Sequence, residues 1–159
     1  MRYAFCLTSG SGKTYLTLKY DNIYDIDAGM WFKGIQYADI YKHFKGEELL
    51  QAKVKWLEDF LFAKYPWGEP DLILLVHEPR EARLLNADIV GQFKVPKENL
   101  LNVIEERLTD PEQKNPRQWM VDTMMYGWED CKEEHGWEIL SHGEIEKEVA
   151  WLHQRLNIS

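Results

Sequence analysis

Ser9-Gly10-Ser11-Gly12-Lys13-Thr14 constrains this chain more than any other segment. It follows the apolar run Tyr3-Ala4-Phe5-Cys6-Leu7 and opens the helix-compatible stretch Tyr15-Leu16-Thr17-Leu18-Lys19. A strand, a glycine-rich loop and Lys-Thr at a helix start come in the order that a phosphate-binding loop requires. In such a loop successive backbone N–H groups and the helix N-terminus cradle phosphate oxygens. The lysine reaches the terminal phosphates, and the threonine hydroxyl ligates magnesium. The segment departs from the pattern G-x-x-x-x-G-K-[ST] at one place: Leu7 stands where the first glycine would fall. The competing reading is a Gly/Ser turn followed by a Lys-Thr pair without chemical consequence.

The rest of the chain alternates short β-type apolar runs with longer helical ones, which is the signature of an α/β domain. Strands are expected at Tyr3–Thr8, Ile23–Ile26, Leu72–Val76, Ile89–Val95 and Trp137–Leu140. Helices are expected at Lys13–Tyr20, Glu47–Lys64, Pro79–Asn86, Lys97–Leu108, Pro116–Glu134 and Glu144–Leu156. Asp71-Leu72-Ile73-Leu74-Leu75-Val76 shows no polar alternation, as expected of a central parallel strand covered on both faces. Leu49, Leu50, Val54, Leu57, Phe60 and Leu61 recur at the spacing of one helix face. The expectation is a three-layer sandwich on a mostly parallel sheet of about five strands, with the strand ending at Leu7-Thr8 central beside Leu72–Val76. At 159 residues, positions 1–159 form one domain. The polar, two-proline segment 109–117 is either a plain connection or a short lid that carries Lys114 or Arg117.

Composition narrows the partners. Hydrophobic residues make up 45% and aromatics 13%, which argues against disorder. Twenty-seven acidic side chains against 19 basic ones give a formal net charge of −8. That balance permits a local cationic site for a nucleotide but disfavours a broad nucleic-acid surface. Cys6 and Cys131 have no metal-ligand spacing, and Cys6 is expected as a reduced core thiol. No apolar run approaches membrane-spanning length and Met1-Arg2-Tyr3 opens no signal peptide, so a cytoplasmic protein without membrane partners is expected.

Several residues could carry chemistry around the loop. Asp25-Ile26-Asp27 ends the second strand, where ligands of open α/β sheets bind. Asp25 or Asp27 could accept a proton from an acceptor hydroxyl or hold magnesium through water, and Asp27, further past the strand end, is the one expected to act as base; the other reading is a solvated turn. Glu78, after Leu72–Val76, could serve the metal through water or begin the next helix, where its charge suits the dipole. His77 is expected as a structural, hydrogen-bonded histidine. Arg107, Lys114 and Arg117 gather near the lid and could clamp phosphate, whereas Arg80 and Arg83 fit surface ion pairs. The tryptophans are expected in the core or at interfaces. Trp31, after the acidic pair, is the one placed to stack on a base.

On Ser9–Thr14, Asp25-Ile26-Asp27, and the order Asp71–Val76, Pro79–Asn86, Ile89–Val95, Pro96-Lys97 and Lys97–Arg107, the chain resembles the small P-loop kinases, particularly the compact nucleoside- and nucleotide-kinase-like proteins of bacteriophages. The resemblance implies ATP and Mg2+ as cofactors and a nucleoside, nucleotide or similar small molecule as phosphoryl acceptor. It also implies a host-cytoplasmic location if the chain is phage-encoded. In that reading Ser9, Gly10, Ser11, Gly12, Lys13 and Thr14 hold the nucleotide and Thr14 the metal. Lys13, Asp25 or Asp27, and Arg117 or Arg107 act on the transferring group. The alternatives are a non-catalytic nucleotide-binding or interaction module on the same fold, and a polynucleotide 5′-hydroxyl kinase. The absence of [NT]-K-x-D disfavours a GTPase, and the length disfavours a two-domain motor.

Overall fold

The computed structural model describes residues 1–26, 46–60, 62–66, 68–113 and 116–157. In chain order these form β1 (Arg2–Leu7), α1 (Lys13–Lys19), β2 (Ile23–Asp25), α2 (Gly46–Phe60), a 3-10 turn (Phe62–Lys64), β3 (Leu72–Val76) and α3 (Pro79–Leu84). They continue with β4 (Asp88–Lys94), α4 (Lys97–Thr109), α5 (Arg117–Asp130), a second 3-10 turn (Glu133–His135), β5 (Glu138–Ile139) and α6 (His142–Asn157). The five described strands form one sheet in the order β2-β3-β1-β4-β5, and every pairing is parallel. β1 is central and pairs with β3 from Arg2 opposite Leu72 to Cys6 opposite Val76. The sequence expectation for the sheet therefore holds.

Side-chain alternation along the strands splits the core in two. Phe5, Leu7, Ile73, Leu75 and Phe93 pack with Leu16 of α1, Leu100 and Ile104 of α4, Met120 and Met124 of α5, and Ile145, Val149 and Leu152 of α6. Ala4, Cys6, Leu72, Leu74 and Val76 pack on the other face with Val54 and Leu57 of α2 and Ala82 of α3. The chain is thus an α/β protein with helices on both faces of a parallel sheet. All five residues of β3 are buried, which is why that strand carries no polar alternation. Truncating Leu75 to Ala would cost about 2–5 kcal/mol, as for other large side chains deleted from a packed core.

Several boundaries differ from the sequence expectation. β2 stops at Asp25, one residue short of the expected Ile26, and Asp27 lies outside the described residues. β5 loses Trp137 and Leu140. Trp137 N–H donates to Lys132 O within a turn, although its side chain is buried. Pro116 precedes α5, and Asp110 Oδ1 accepts from Glu112 N–H at 2.9 Å, so the described part of 109–117 is a side-chain-supported turn between α4 and α5. Lys114 is outside the described residues. Trp128 is half-buried and donates to Val95 O at 2.7 Å, while Trp119 and Trp151 are exposed rather than core residues. Trp31 and Trp67 are outside the described residues.

Candidate functional site

The sheet order fixes where a ligand would sit. From β1 the chain crosses one face of the sheet, with α1, toward β2, and from β3 it crosses the other face, with α3, toward β4. The adjacent strands β1 and β3 therefore flank a topological switch point, beyond whose carboxyl ends open α/β sheets take their ligands. The Ser9–Thr14 loop occupies that place. It lines a depression of about 230 Å³ together with Tyr15, Asp25, His77 and Arg107.

The loop's shape depends on two glycines. Gly10 has φ +82° and Gly12 has φ +93°, left-handed conformations that disfavour side chains. A Cβ on Gly10 would also lie 3.3 Å from both Met124 and Val103. Leu7, by contrast, is an ordinary buried residue of β1 paired with Phe93. The chain has its turn glycines later than the G-x-x-x-x-G-K-[ST] pattern would place the first one. Across the loop, Ser11 N–H donates to Thr8 O at 3.2 Å, and the two buried hydroxyls of Thr8 and Ser11 share a hydrogen bond at 2.9 Å. Gly12 caps α1 without a side chain, so the first N–H groups of α1 have no partner within the helix.

Lys13 is buried to 8% exposure on the first turn of α1. Its Nζ donates to Leu7 O at 3.2 Å and Thr8 O at 3.4 Å, and lies 3.5 Å from His77 Nδ1. His77 directly follows β3, and its backbone N–H donates to Glu81 Oε1 at 3.2 Å. Glu81 in turn forms a buried ion pair with Lys53 of α2 at 3.0 Å. The end of β3 is thereby held by α2 and α3 and presents an imidazole to the lysine.

Asp25 ends β2, is 4% exposed and lines the depression. Thr17 ties it to α1: the Thr17 hydroxyl donates to Lys13 O at 3.0 Å and accepts from Asp25 N–H at 3.1 Å. Arg107, on the last turn of α4, brings a second cation to the wall. Its guanidinium is partly desolvated although the residue keeps exposed surface, and that desolvation lowers its pKa from the ordinary arginine value. The Thr14 hydroxyl-bearing side chain is exposed on the same wall.

The other expected site residues fall elsewhere. Arg117 is exposed on the first turn of α5 and is not among the residues lining the depression. Glu78 is exposed at the N-cap of α3, where its charge faces the positive end of that helix. Arg80 pairs with Glu47 at the surface, as expected. Among the described residues no group of three or more His, Cys, Asp or Glu is arranged to hold a metal ion.

Two histidines were undervalued by sequence reasoning. His77 lines the depression beside Lys13. His142 Nε2 lies 2.7 Å from Gly10 O and borders a second depression of about 260 Å³ between α1 and α6, lined also by Ser11, Gly12, Tyr15, Leu16, Gly143 and Glu146. A signal for His142 was present in Ser141-x-x-Glu144, a capping-box pattern that starts a helix directly after β5 and so at the same end of the sheet. The box forms: Ser141 N–H donates to Glu144 Oε1 at 3.1 Å and Glu144 N–H to Ser141 Oγ at 3.2 Å.

No protein-family model matches this chain, and no curated protein matches it. Among the described residues no helix is long and apolar enough to cross a membrane.

Proposed function

We propose that this chain binds a nucleoside triphosphate with magnesium at the Ser9–Thr14 loop and transfers its terminal phosphoryl group to a small acceptor such as a nucleoside or nucleotide. The observation that carries this reading is the meeting of Lys13, Arg107, Asp25 and a glycine-shaped helix N-terminus on one depression at the switch point of the sheet. Backbone N–H groups at the start of α1 and the Lys13 ammonium hold the phosphates. Arg107 stabilises charge that develops on the transferring group. The second depression shares Gly12 and Tyr15 with the first, so it adjoins the phosphate site and accommodates the nucleoside end.

The donor set suits magnesium. That ion is usually held by one or two protein oxygens plus substrate phosphates and waters; Thr14 supplies a hydroxyl on this wall, and the Asp25 carboxylate would reach the ion only through water. When bound, the ion would neutralise phosphate charge during transfer. Asp25 is also the described carboxylate best placed to receive the acceptor hydroxyl proton, with Thr17 fixing its backbone. An assay of ATP consumption across nucleosides, nucleotides and DNA 5′ ends tests the reading. Turnover with a small acceptor supports it. ATP binding without turnover in any arm replaces it with a non-catalytic nucleotide-binding module, and turnover with DNA ends alone replaces it with a polynucleotide kinase.

A further inference from the structure

We propose that His142 is a positioning residue that locks the Gly10–Ser11 peptide in the orientation required for phosphate binding. This rests on the phosphate-binding reading of the loop. The Gly10 carbonyl and the Ser11 N–H belong to one planar peptide and point in opposite directions. The carbonyl accepts from His142 Nε2 at 2.7 Å, and the N–H donates to Thr8 O at 3.2 Å. The peptide is pinned at both ends.

Such a lock has a physical purpose. Glycine crosses between backbone conformations at little steric cost, so the loop can turn the Gly10–Ser11 peptide over more easily than ordinary residues would. A turned peptide would bring a carbonyl oxygen, the negative end of its dipole, toward a polyphosphate. His142 lines the second depression and not the first, so its hydrogen bond draws the Gly10 carbonyl away from the Lys13 side.

The lock is carried on a firm element. α6 has 16 residues, with Ile145 and Val149 fully buried, and Glu146 pairs with Lys19 and accepts from Tyr20 Oη at 3.1 Å. A carbonyl oxygen only accepts, so His142 must carry a hydrogen on Nε2.

Two measurements test this. Long-range 1H–15N spectra of the unliganded protein report which nitrogen of His142 is protonated, independent of any nucleotide. Protonated Nε2 is expected, and a neutral ring protonated only at Nδ1 overturns the proposal. Calorimetry with MgATP then compares wild type, Lys13→Ala, His142→Gln and His142→Phe, with the thermal midpoint of each unliganded variant recorded. His142→Phe removes the donor and should weaken MgATP about 3- to 10-fold. His142→Gln restores a donor near Nε2 and should bind as wild type does. Unchanged affinity in His142→Phe, or an equal loss in both variants, overturns the lock while leaving the phosphate reading intact if Lys13→Ala still loses binding. Wild-type protein that takes up no MgATP overturns the phosphate reading and the lock's function with it, even where Nε2 carries the proton.

Discussion

The Lys13 ammonium donates to the Leu7 carbonyl oxygen at 3.2 Å, tying the first residue of α1 to the last residue of β1 across the glycine loop. That places the cation at the carboxyl edge of the central strand, on the wall of the depression. A phosphate entering the loop would add a charged acceptor to these carbonyls, and charge-assisted hydrogen bonds are roughly twice as strong as neutral ones.

Asp25→Asn is expected to lower phosphoryl transfer strongly while leaving MgATP affinity nearly unchanged. In the proposed reaction the carboxylate acts on the acceptor in the transition state, and interactions made only there appear in rate. Steady-state turnover and calorimetry on the same preparation separate the two. A parallel loss of both would make Asp25 a nucleotide ligand rather than a base. Asp27→Asn, outside the described residues, is the companion variant. Full activity in Asp25→Asn with loss in Asp27→Asn would move the base there.

Arg107 and Arg117 are expected to differ. Arg107 lines the depression, so Arg107→Ala should lower turnover by about 100-fold or more, the scale seen when one stabilising donor is removed from a transition state. Arg117, exposed on α5, should tolerate Ala with little change. The reverse pattern in a turnover assay would show that α5, and not α4, supplies the phosphate clamp.

Gly10→Ala should destabilise the protein by about 1–3 kcal/mol, the usual cost of holding a residue in a sparsely populated backbone region. Gly10 combines φ +82° with close approach to Met124 and Val103, so the new methyl group adds crowding to strain. Urea unfolding reads the difference. A midpoint equal to that of wild type would mean that the loop adopts another conformation.

Alkaline stability should report Cys6. Burial, with Glu81 adding, pushes its thiol up from 9.0 to about 12. The unfolded chain releases that proton near pH 9, whereas the folded chain keeps it until about pH 12. The contribution is therefore complete below pH 9 and is lost as pH rises through that window. Tyr24, raised from 10.0 to about 12 by burial and then by its hydrogen bond to Tyr65, adds to the same fall. Urea titrations at several alkaline pH values should give a shallower decline for Cys6→Ala than for wild type. Identical slopes would show that the thiol does not titrate differently on folding.

The sheet was legible in the sequence because its strands are set by local pattern. Leu72–Val76 is apolar on both faces and could only be central, and β1 carries the same signal into the glycine loop. Boundaries were less legible where tertiary hydrogen bonds decide them, as where Trp137 N–H joins a turn to Lys132 instead of the ladder. Asp25 was a candidate beside the favoured Asp27 because a carboxylate at a strand end has a topological meaning, and the structure puts it on the wall of the depression. His77 and His142 were undervalued, because their significance lies in contacts with Lys13 and Gly10, 64 and 132 residues away in sequence. Arg107 emerged over Arg117 once the pitch of α4 was known: both lie near 109–117 in sequence, yet only Arg107 lines the depression.

The central claim is that Lys13 holds the phosphates of a nucleotide, and calorimetric titration of MgATP into wild type and Lys13→Ala tests it most directly. Loss of one charge-assisted contact should weaken binding by about 10- to 100-fold. The unfolding midpoint of the unliganded variant is recorded alongside, so that loss of affinity is not mistaken for loss of fold. Binding in wild type and its strong reduction in a folded Lys13→Ala is the predicted result. Equal affinity in the two proteins, or no binding by wild type, would contradict the account.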